Sequence, residues 1–366
     1  MRNFKNILIV RTDRIGDVVL TTPMLTKLRQ LCPHAHITVL LSPLTKDLMQ
    51  GHPAVDRVIV DDRESQHKGL RGFLRLRREI KQGRYELAII LHTKKRTNAL
   101  CFAAGIPYRL GYCNNKFGFL LTHPIKDIRP EGKWHEAGYC LNILRHLPCG
   151  TSFDAFDPFT EMGELYVAQA PESDIWAEQY LSRRNIQRKD IVITIHAGAS
   201  DMEKRCSYVF FADLIEALIV KYKAKVLLIG ASYIKESSKE ILKALPSNNQ
   251  QKVFDCVGDT TVSQLVSLIK RSSVLISNDS GPVHLAAALQ RPVVSLFVRN
   301  QPGINPERWR PLGARSRYIS VPRQTGERCN PSGQSAKDVT ASKKHVWQDF
   351  ITKDRILEEV DSLFKL

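Results

Sequence analysis

Ser277-Asn278-Asp279-Ser280-Gly281-Pro282-Val283-His284, followed by the apolar Leu285–Leu289, is the stretch that decides how this chain folds. The apolar run Val274–Ile276 just before it predicts a buried strand. A strand that ends in Asn-Asp-Ser-Gly then gives way at once to a helix, with Pro282 suited to the first turn. Unpaired N–H groups at such a helix start favour an anion, and Gly281 lets a phosphate approach the backbone closely. His284, about one turn in, is a candidate further donor. Taken alone, the stretch equally fits a well-capped helix in an ordinary α/β domain.

It does not stand alone. Near the N-terminus the short apolar strand Ile7–Val10 runs into Arg11-Thr-Asp-Arg-Ile-Gly-Asp-Val-Val-Leu-Thr-Thr-Pro23, a second strand–loop–helix unit with Gly16 and Asp17 at the turn. Two such units far apart in sequence predict two Rossmann-like domains with a ligand cleft at the C-terminal ends of their strands. The matching segments are Gly16–Pro23 with Leu28-Arg29, Ala104–Tyr112, Lys204-Arg205, Asn278–Pro282 with His284–Leu289, and Pro306–Gly313. In this order they resemble glycosyltransferase family 9, the heptosyltransferases of lipopolysaccharide core assembly. The resemblance covers nearly the whole chain, and its first and fourth segments are the specific ones. It implies an α/β chain of the GT-B class, with two Rossmann-like domains facing across a cleft.

Bulk properties set the frame. The chain of 366 residues is long enough for two domains, each with a core of its own. Its 43% hydrophobic and 25% charged residues are ordinary for a globular protein. No apolar run approaches the roughly 20 residues of a membrane span. The N-terminal apolar stretch is too short for a signal peptide and meets Arg11 immediately, so a cytoplasmic protein is expected. The eight cysteines form no Cys-x-x-Cys pair, which fits scattered thiols in a reducing compartment.

Charge is uneven. Residues 1–150 hold 25 Lys and Arg against 12 Asp and Glu, whereas residues 151–366 hold 29 against 25, out of a net +17. The basic N-terminal part implies an anionic partner: nucleic acid, an acidic membrane surface or a phosphorylated glycolipid.

In the N-terminal half, strands are expected at Ile7–Val10, Ile37–Leu41, Arg57–Val60 and Leu87–Leu91, with helices near Val18–Leu31, Gly69–Lys81 and Asn98–Ala104. This alternation predicts a parallel sheet with right-handed crossovers. Gly150–Pro171 has the composition of an interdomain linker, which sets domains of 1–165 and 166–350. In the second half, strands are expected at Ile191–Ile195, Lys225–Ile229, Lys252–Cys256, Ser273–Ile276 and Val293–Phe297. Gly326–Ser342 reads as a polar mobile segment. A final amphipathic helix is expected over Ile351–Phe364, and the GT-B resemblance places 351–366 back across the N-terminal domain.

Asp17 is the leading catalytic candidate. Transfer of a sugar needs a base for the acceptor hydroxyl's proton, and a carboxylate at a strand–helix turn suits that task. The family resemblance implies the same role, in an inverting single displacement. An N-cap role for Asp17 stands beside it, and Asp13 is a rival base. Lys204 is positioned to stabilise the charge that grows on a departing nucleoside diphosphate, with Arg205 beside it. The family usually has a Trp after this pair, and Cys206 stands there instead. By resemblance, Asp279, Ser280, Gly281 and His284 form the donor end of the site, with Asp279 accepting from sugar hydroxyls. Glu236 is a candidate for ribose hydroxyls, with Glu240 as the alternative.

Two basic elements mark the N-terminal half. Lys68, Arg71, Arg75 and Arg78 recur at helical spacing among Leu70, Phe73, Leu74 and Ile80, a pattern for either an anionic membrane surface or a solvated helix face. Lys94, Lys95 and Arg96 follow a strand and are candidate acceptor contacts. No Asp-x-Asp triplet occurs, and Lys204 with a helix N-terminus supplies positive charge, so transfer without metal or cofactor is expected. The expected partners are a nucleotide-sugar donor, ADP-heptose by resemblance, an anionic lipopolysaccharide inner-core acceptor and the cytoplasmic face of the inner membrane. A relative using another nucleotide sugar is one alternative. A nucleic-acid-binding protein is the alternative from another class, but no recognised binding signature supports it. A nicotinamide enzyme is disfavoured, because no G-x-G-x-x-G follows an expected strand.

Overall fold

The computed structural model describes residues 4–114, 116–147, 157–323 and 346–365. The chain divides into two units, Met1–Gln169 and Ala170–Leu366. Six strands build the first unit: β1 Asn6–Val10, β2 His36–Leu41, β3 Arg57–Val60, β4 Leu87–Ile90, β5 Tyr108–Cys113 and β6 His123–Lys126. All pair in parallel, in the order β3-β2-β1-β4-β5-β6. Runs such as Ile7–Val10 and Leu87–Ile90 are apolar at every position because helices cover both faces of such a sheet. The strand order reverses between β1 and β4, so the loops after these two strands border the crevice where open α/β sheets take ligands.

The helix expected over Val18–Leu31 is two helices, Ile15–Val19 and Thr22–Leu31. Pro23 sits in the first turn of the second, where its missing N–H costs nothing. Thr21 Oγ1 donates to the Asp17 carbonyl at 2.9 Å and Thr22 Oγ1 to that of Val19 at 2.7 Å. Arg14 occupies the N-cap of the first helix and Asp17 lies inside its first turn, so Asp17 is not the cap. The strands β5 and β6 carry no continuous apolar run, and β6 is an edge strand that tolerates Pro124.

The second unit repeats the winding with β7 Val192–His196, β8 Lys225–Leu228, β9 Val253–Asp255, β10 Val274–Asn278, β11 Val293–Phe297 and β12 Ser316–Ser320. Its order is β12-β11-β10-β7-β8-β9, again all parallel, and its reversal lies between β7 and β10. Helix Tyr208–Tyr222 buries Phe211, Leu214, Ile215 and Leu218 against this sheet. The polar-faced edge strand β12 escaped sequence reading.

The backbone N–H of Tyr166 donates to Thr22 Oγ1 at 2.9 Å and that of Ala168 to the Leu48 carbonyl at 3.0 Å, which ties residues up to Ala168 to the first unit. Part of the Gly150–Pro171 stretch and all of Gly326–Ser342 lie outside the described residues. Among the described residues, no helix is long and apolar enough to cross a membrane.

The final helix Lys353–Phe364 corrects an expectation. Its buried face, Ile356, Val360 and Leu363, belongs to the second unit's own core, and the helix falls within the second unit rather than standing as a separate segment. Tyr222 Oη donates to Asp361 Oδ1 at 2.7 Å, and Lys221 Nζ lies 2.6 Å from Asp361 Oδ2. We expect Ile356→Ala to cost about 2–5 kcal/mol, as for other buried large-to-small changes. Denaturant unfolding should place that loss in the second unit. A loss below about 0.5 kcal/mol would mean the helix is a loose appendage.

Candidate active site

In the first unit the crevice loops carry a buried charge cluster. Arg11 follows β1 directly, and its backbone N–H extends the ladder to the Leu40 carbonyl at 3.0 Å. Its side chain is 2% exposed and is surrounded by carboxylates. Arg11 Nη2 lies 3.0 Å from Asp17 Oδ1 and 3.1 Å from Glu136 Oε1, while Nε lies 3.3 Å from Asp13 Oδ1. Nε also donates to the Asp17 carbonyl at 3.2 Å. One guanidinium thus fixes both the backbone and the side chain of Asp17. Burial works against the Arg11 charge, but Asp13, Cys140, Asp17 and Glu136 hold its pKa above the ordinary value. Asp13 is pushed up to about 7, by burial first and then by Asp17 and Glu136, with Arg11 opposing. Two neighbouring carboxyls therefore differ in character: Asp17 gains a direct charge-assisted bond, and Asp13 retains a proton near neutrality.

The loop after β4 supplies the rim. His92 Nδ1 is 3.1 Å from Thr12 Oγ1, which accepts from Arg63 Nη2 at 3.0 Å. His92 is driven down to about 3, by burial and then by Arg11, Lys94, Arg63 and Lys116. Lys94 is the N-cap of helix Lys95–Ala103. Its pKa is lowered first by the neighbouring ammonium of Lys116, then by partial burial. Lys95 and Arg96 occupy the positive end of that helix, where cations are disfavoured unless an anion joins them. Arg96 is already committed. Its Nε and Nη2 grip the buried Asp61 at 3.1 and 2.9 Å, and Nη2 also reaches the His67 carbonyl. Burial raises Asp61, but bonds from Arg96 and Arg63 outweigh it and hold the carboxyl low. Of the three expected acceptor contacts, Lys94 and Lys95 face solvent, while Arg96 braces the loops.

In the second unit the loops after β7 and β10 lie side by side, as its strand order requires. Asn278 clamps them. Its Nδ2 donates to the Ala197 carbonyl at 2.7 Å, and its Oδ1 accepts from the Cys206 N–H at 3.1 Å. Ser280 is the N-cap of helix Gly281–Ala288, but its side chain does not cap the helix. Its Oγ instead joins Ser277 Oγ at 2.9 Å and His196 Nδ1 at 2.9 Å. Burial, then Arg205, brings His196 down to about 4, so the network is neutral. The helix start therefore keeps backbone N–H groups for an anion instead of spending them on the Ser280 hydroxyl. His284 is buried on the first turn.

Lys204 Nζ sits 2.5 Å from Asp279 Oδ2. The pair borders a shallow recess lined by Lys204, Asp279, Phe297, Val298, Arg299 and Ile304. Arg299, just past β11, bonds Asp201 at 2.8 Å and Glu203 at 3.0 Å on the Lys204 loop. Arg205 is structural in the same loop, with Nε and Nη2 on the Ala199 carbonyl at 3.0 and 2.7 Å. Glu236 is 73% exposed and pairs with Lys239 at 3.2 Å, and Glu240 pairs with Lys243. Among the described residues, no group of three or more His, Cys, Asp or Glu could hold a metal.

The structure therefore brings Lys204, Asp279, Ser280 and Gly281 to one crevice, and Asp17 and Lys94 to the loops of the other. Sequence reasoning missed Arg11, Glu136, His92, His196 and Arg299. A charged residue right after an apolar strand is a usable signal for Arg11 and Arg299. Glu136 gives none, since it meets Arg11 across 125 residues of chain.

The model of glycosyltransferase family 9 (heptosyltransferase) matches residues 73–338. Lipopolysaccharide heptosyltransferase 2 of Salmonella typhimurium is 26% identical over 362 residues, covering 98% of each chain. A putative glycosyltransferase of Haemophilus influenzae is 22% identical over 333 residues, covering 91% of each. Among solved structures, a family 9 glycosyl transferase from Veillonella parvula superimposes with TM-score 0.81 at 23% identity, covering 99% of this chain and 97% of that one. The E. coli ADP-heptose LPS heptosyltransferase II gives 0.72 at 22% identity, covering 99% and 98%.

The Asp13 carboxyl makes stability depend on pH. Its folded pKa lies above the unfolded value, so the folded state holds the proton more tightly. The stability it contributes is full below about pH 4 and is lost as pH rises to about 7. Asp13→Asn should remove that slope, so the variant's advantage over wild type should grow by a few kcal/mol across this window. Urea melts at pH 4, 5.5 and 7 would show it, and parallel curves would mean that Asp13 is ionised throughout.

Proposed function

Because this chain belongs to glycosyltransferase family 9 and is a heptosyltransferase-type transferase, we propose that it moves a heptose from ADP-heptose to the inner core of lipopolysaccharide. The observation that carries the reading is the Asp17 carboxylate, fixed by buried Arg11 at the strand end that borders its unit's ligand crevice. The E. coli relative is an ADP-heptose LPS heptosyltransferase and the Salmonella relative a lipopolysaccharide heptosyltransferase, which supports the donor and a lipopolysaccharide acceptor.

In this reading an acceptor hydroxyl attacks the anomeric carbon as the bond from that carbon to the β-phosphate oxygen breaks. The hydroxyl proton passes to Asp17, the configuration inverts, and ADP leaves with the bonding electron pair. Arg11 holds both the backbone and the carboxylate of Asp17 in place before substrate arrives, which is the orientation a general base needs. In the second unit the growing charge of the diphosphate meets Lys204 and the N-terminus of helix Gly281–Ala288. The diphosphate competes with Asp279 for Lys204. Asp279, once released, accepts hydrogen bonds from sugar hydroxyls. The charge supplied by Lys204 and the helix makes a metal or cofactor unnecessary in this reading. Lys94 and Lys95 meet the anionic acceptor, and either Glu236 or Glu240 takes the ribose. A lipid-borne acceptor implies work at the cytoplasmic face of the inner membrane.

The nucleotide that protects the protein from heat tests the donor. ADP at 100 times its Kd should add about 2.7 kcal/mol. Stabilisation by UDP or NAD but not by ADP would overturn the donor assignment. Asp17→Asn should lower turnover by ~10²–10⁴-fold with ADP affinity unchanged. Near-normal turnover would pass the base role to Asp13, and Asp13→Asn in parallel decides between them. Lys204→Ala should weaken ADP binding in calorimetry by roughly 1.5–3 kcal/mol and slow transfer. EDTA should leave the rate unchanged, whereas a loss restored by magnesium would refute metal-independent transfer.

A further inference from the structure

Helix Gly69–Gln82 buries only the stripe Gly72, Leu76 and Ile80. The opposite face leaves Leu70 74% exposed and Leu74 half-exposed. At 100° per residue, Leu70, Leu74 and Lys81 line one flank of that face, and Arg71, Arg75 and Arg78 line the other. All six side chains are exposed. The leucine flank adjoins helix Lys95–Ala103. Arg77 Nε donates to the Ala103 carbonyl at 2.8 Å, and the Arg96 guanidinium lies 5.5 Å from the Phe73 ring.

The apolar surface continues beyond that helix. Exposed Phe102 lies under Arg109 at 5.4 Å, and Arg109 Nε donates to the Leu120 carbonyl at 2.7 Å. The preceding turn presents Phe117 and Phe119, with ring centres 5.6 Å apart. Phe119 is 79% exposed, and Lys95 Nζ sits 5.7 Å from the Phe117 ring. Three separate segments thus form one connected surface of leucine and phenylalanine edged by Lys and Arg. Acidic residues are missing from it: residues 65–78 contain none, and residues 87–126 contain none.

We propose that the first unit docks on an anionic lipid bilayer through this surface, with Leu70, Leu74, Phe102, Phe117 and Phe119 entering the interface and the Arg71–Arg78 flank on the headgroups. The inference deepens the reading of the acceptor as a membrane glycolipid and rests on it for its purpose. Charge and apolarity together choose the occupant. A nucleic acid would satisfy the cations but would leave the leucines and phenylalanines in water. A second copy would bring the same cations against themselves. An anionic bilayer offers phosphates at the surface and hydrocarbon a few ångströms below, the two environments this face presents side by side. The helix lies flat, as amphipathic interfacial helices do.

Sedimentation of the full chain with phosphatidylglycerol-containing vesicles tests this, with phosphatidylcholine vesicles as the neutral control. We expect binding only to the anionic vesicles, weakening as salt shortens the screening length. Each cation near the surface contributes roughly five-fold in partitioning, so Arg71→Gln, Arg75→Gln and Arg78→Gln together should lower binding about 100-fold at low salt. Leu70→Ser, Leu74→Ser and Phe119→Ser together should lower it at least ten-fold while leaving its salt dependence in place. Circular dichroism and a thermal melt of the full chain without ligand, in which loss of the first unit would show, check that each variant is folded. Equal binding to neutral vesicles, no binding to either kind, or unchanged binding in both triple variants would overturn the proposal. Self-association abolished by the Phe119 variant, without vesicle binding, would assign the surface to a second copy. Transfer to a short water-soluble core acceptor separates the two readings. Transfer without vesicle binding refutes the docking surface alone, and vesicle binding without transfer refutes the proposed function alone.

Discussion

Parallel strands cannot be joined by a tight turn. Each must be reached through a crossover that returns the chain to the same end of the sheet, and a right-handed crossover with a helix is the solution that packs. Every strand pair described in the two units is parallel. Because β1 and β4, and again β7 and β10, are neighbours whose connections leave in opposite directions, their C-terminal loops border a crevice. Arg11, Asp17 and Lys94 stand on one pair of loops. Ser277, Ser280 and Lys204 stand on the other pair or close to it. The chemistry is placed by the winding of the sheets, and the side chains then refine it.

Refinement is mostly a matter of desolvated charge. A buried guanidinium without carboxylates would be strongly destabilising, and a buried carboxylate without a cation equally so. Arg11 with Asp13, Asp17 and Glu136, and Asp61 with Arg63 and Arg96, are the outcomes in the first unit. Each cluster pins loops from distant parts of the chain, so the crevice is shaped before a ligand arrives. Three carboxylates around one guanidinium cannot all be comfortably ionised, and the strain falls on Asp13, whose contact with Arg11 is the longest of the three. The second unit uses a neutral version of the same device. His196, Ser277, Ser280 and Asn278 bind one another and the backbone, and the charged groups beside them are Arg205, Lys204, Asp279 and the Arg299 pairs.

The basic character of the first unit divides in the same way. Arg11, Arg96 and Arg129 are spent inside, on Asp17, Asp61 and Asp127. Lys68, Arg71, Arg75 and Arg78 stay in solvent beside exposed Leu70 and Leu74. Counting Lys and Arg in the sequence mixes these populations, and only the outer one is available to a partner. The run Lys94-Lys95-Arg96 shows the difference within three residues. Arg96 turns inward to a carboxylate with no solvent exposure, and the two lysines do not.

Much of the fold was legible in the sequence because parallel strands buried on both faces must be apolar at nearly every position. Ile7–Val10, Leu87–Ile90 and Val274–Ile276 announce themselves, and Gly16-Asp17 and Asp279-Ser280-Gly281-Pro282 mark the turns that follow. Edge strands β6 and β12 are covered less and need no such run, so they passed unread. The break at Leu20–Thr21 was hidden because the apolar periodicity continues through it. The sequence by itself determined the α/β class, the two repeated halves and the positions of the crevice loops, since these follow from local periodicity and turn chemistry. Only the tertiary structure decided which charges meet. Arg11 with Glu136, Arg96 with Asp61 and Lys204 with Asp279 are joined across tens of residues, and the final helix is held by the second unit's core. Desolvation sets these pairings in three dimensions, and no local pattern along the chain encodes them.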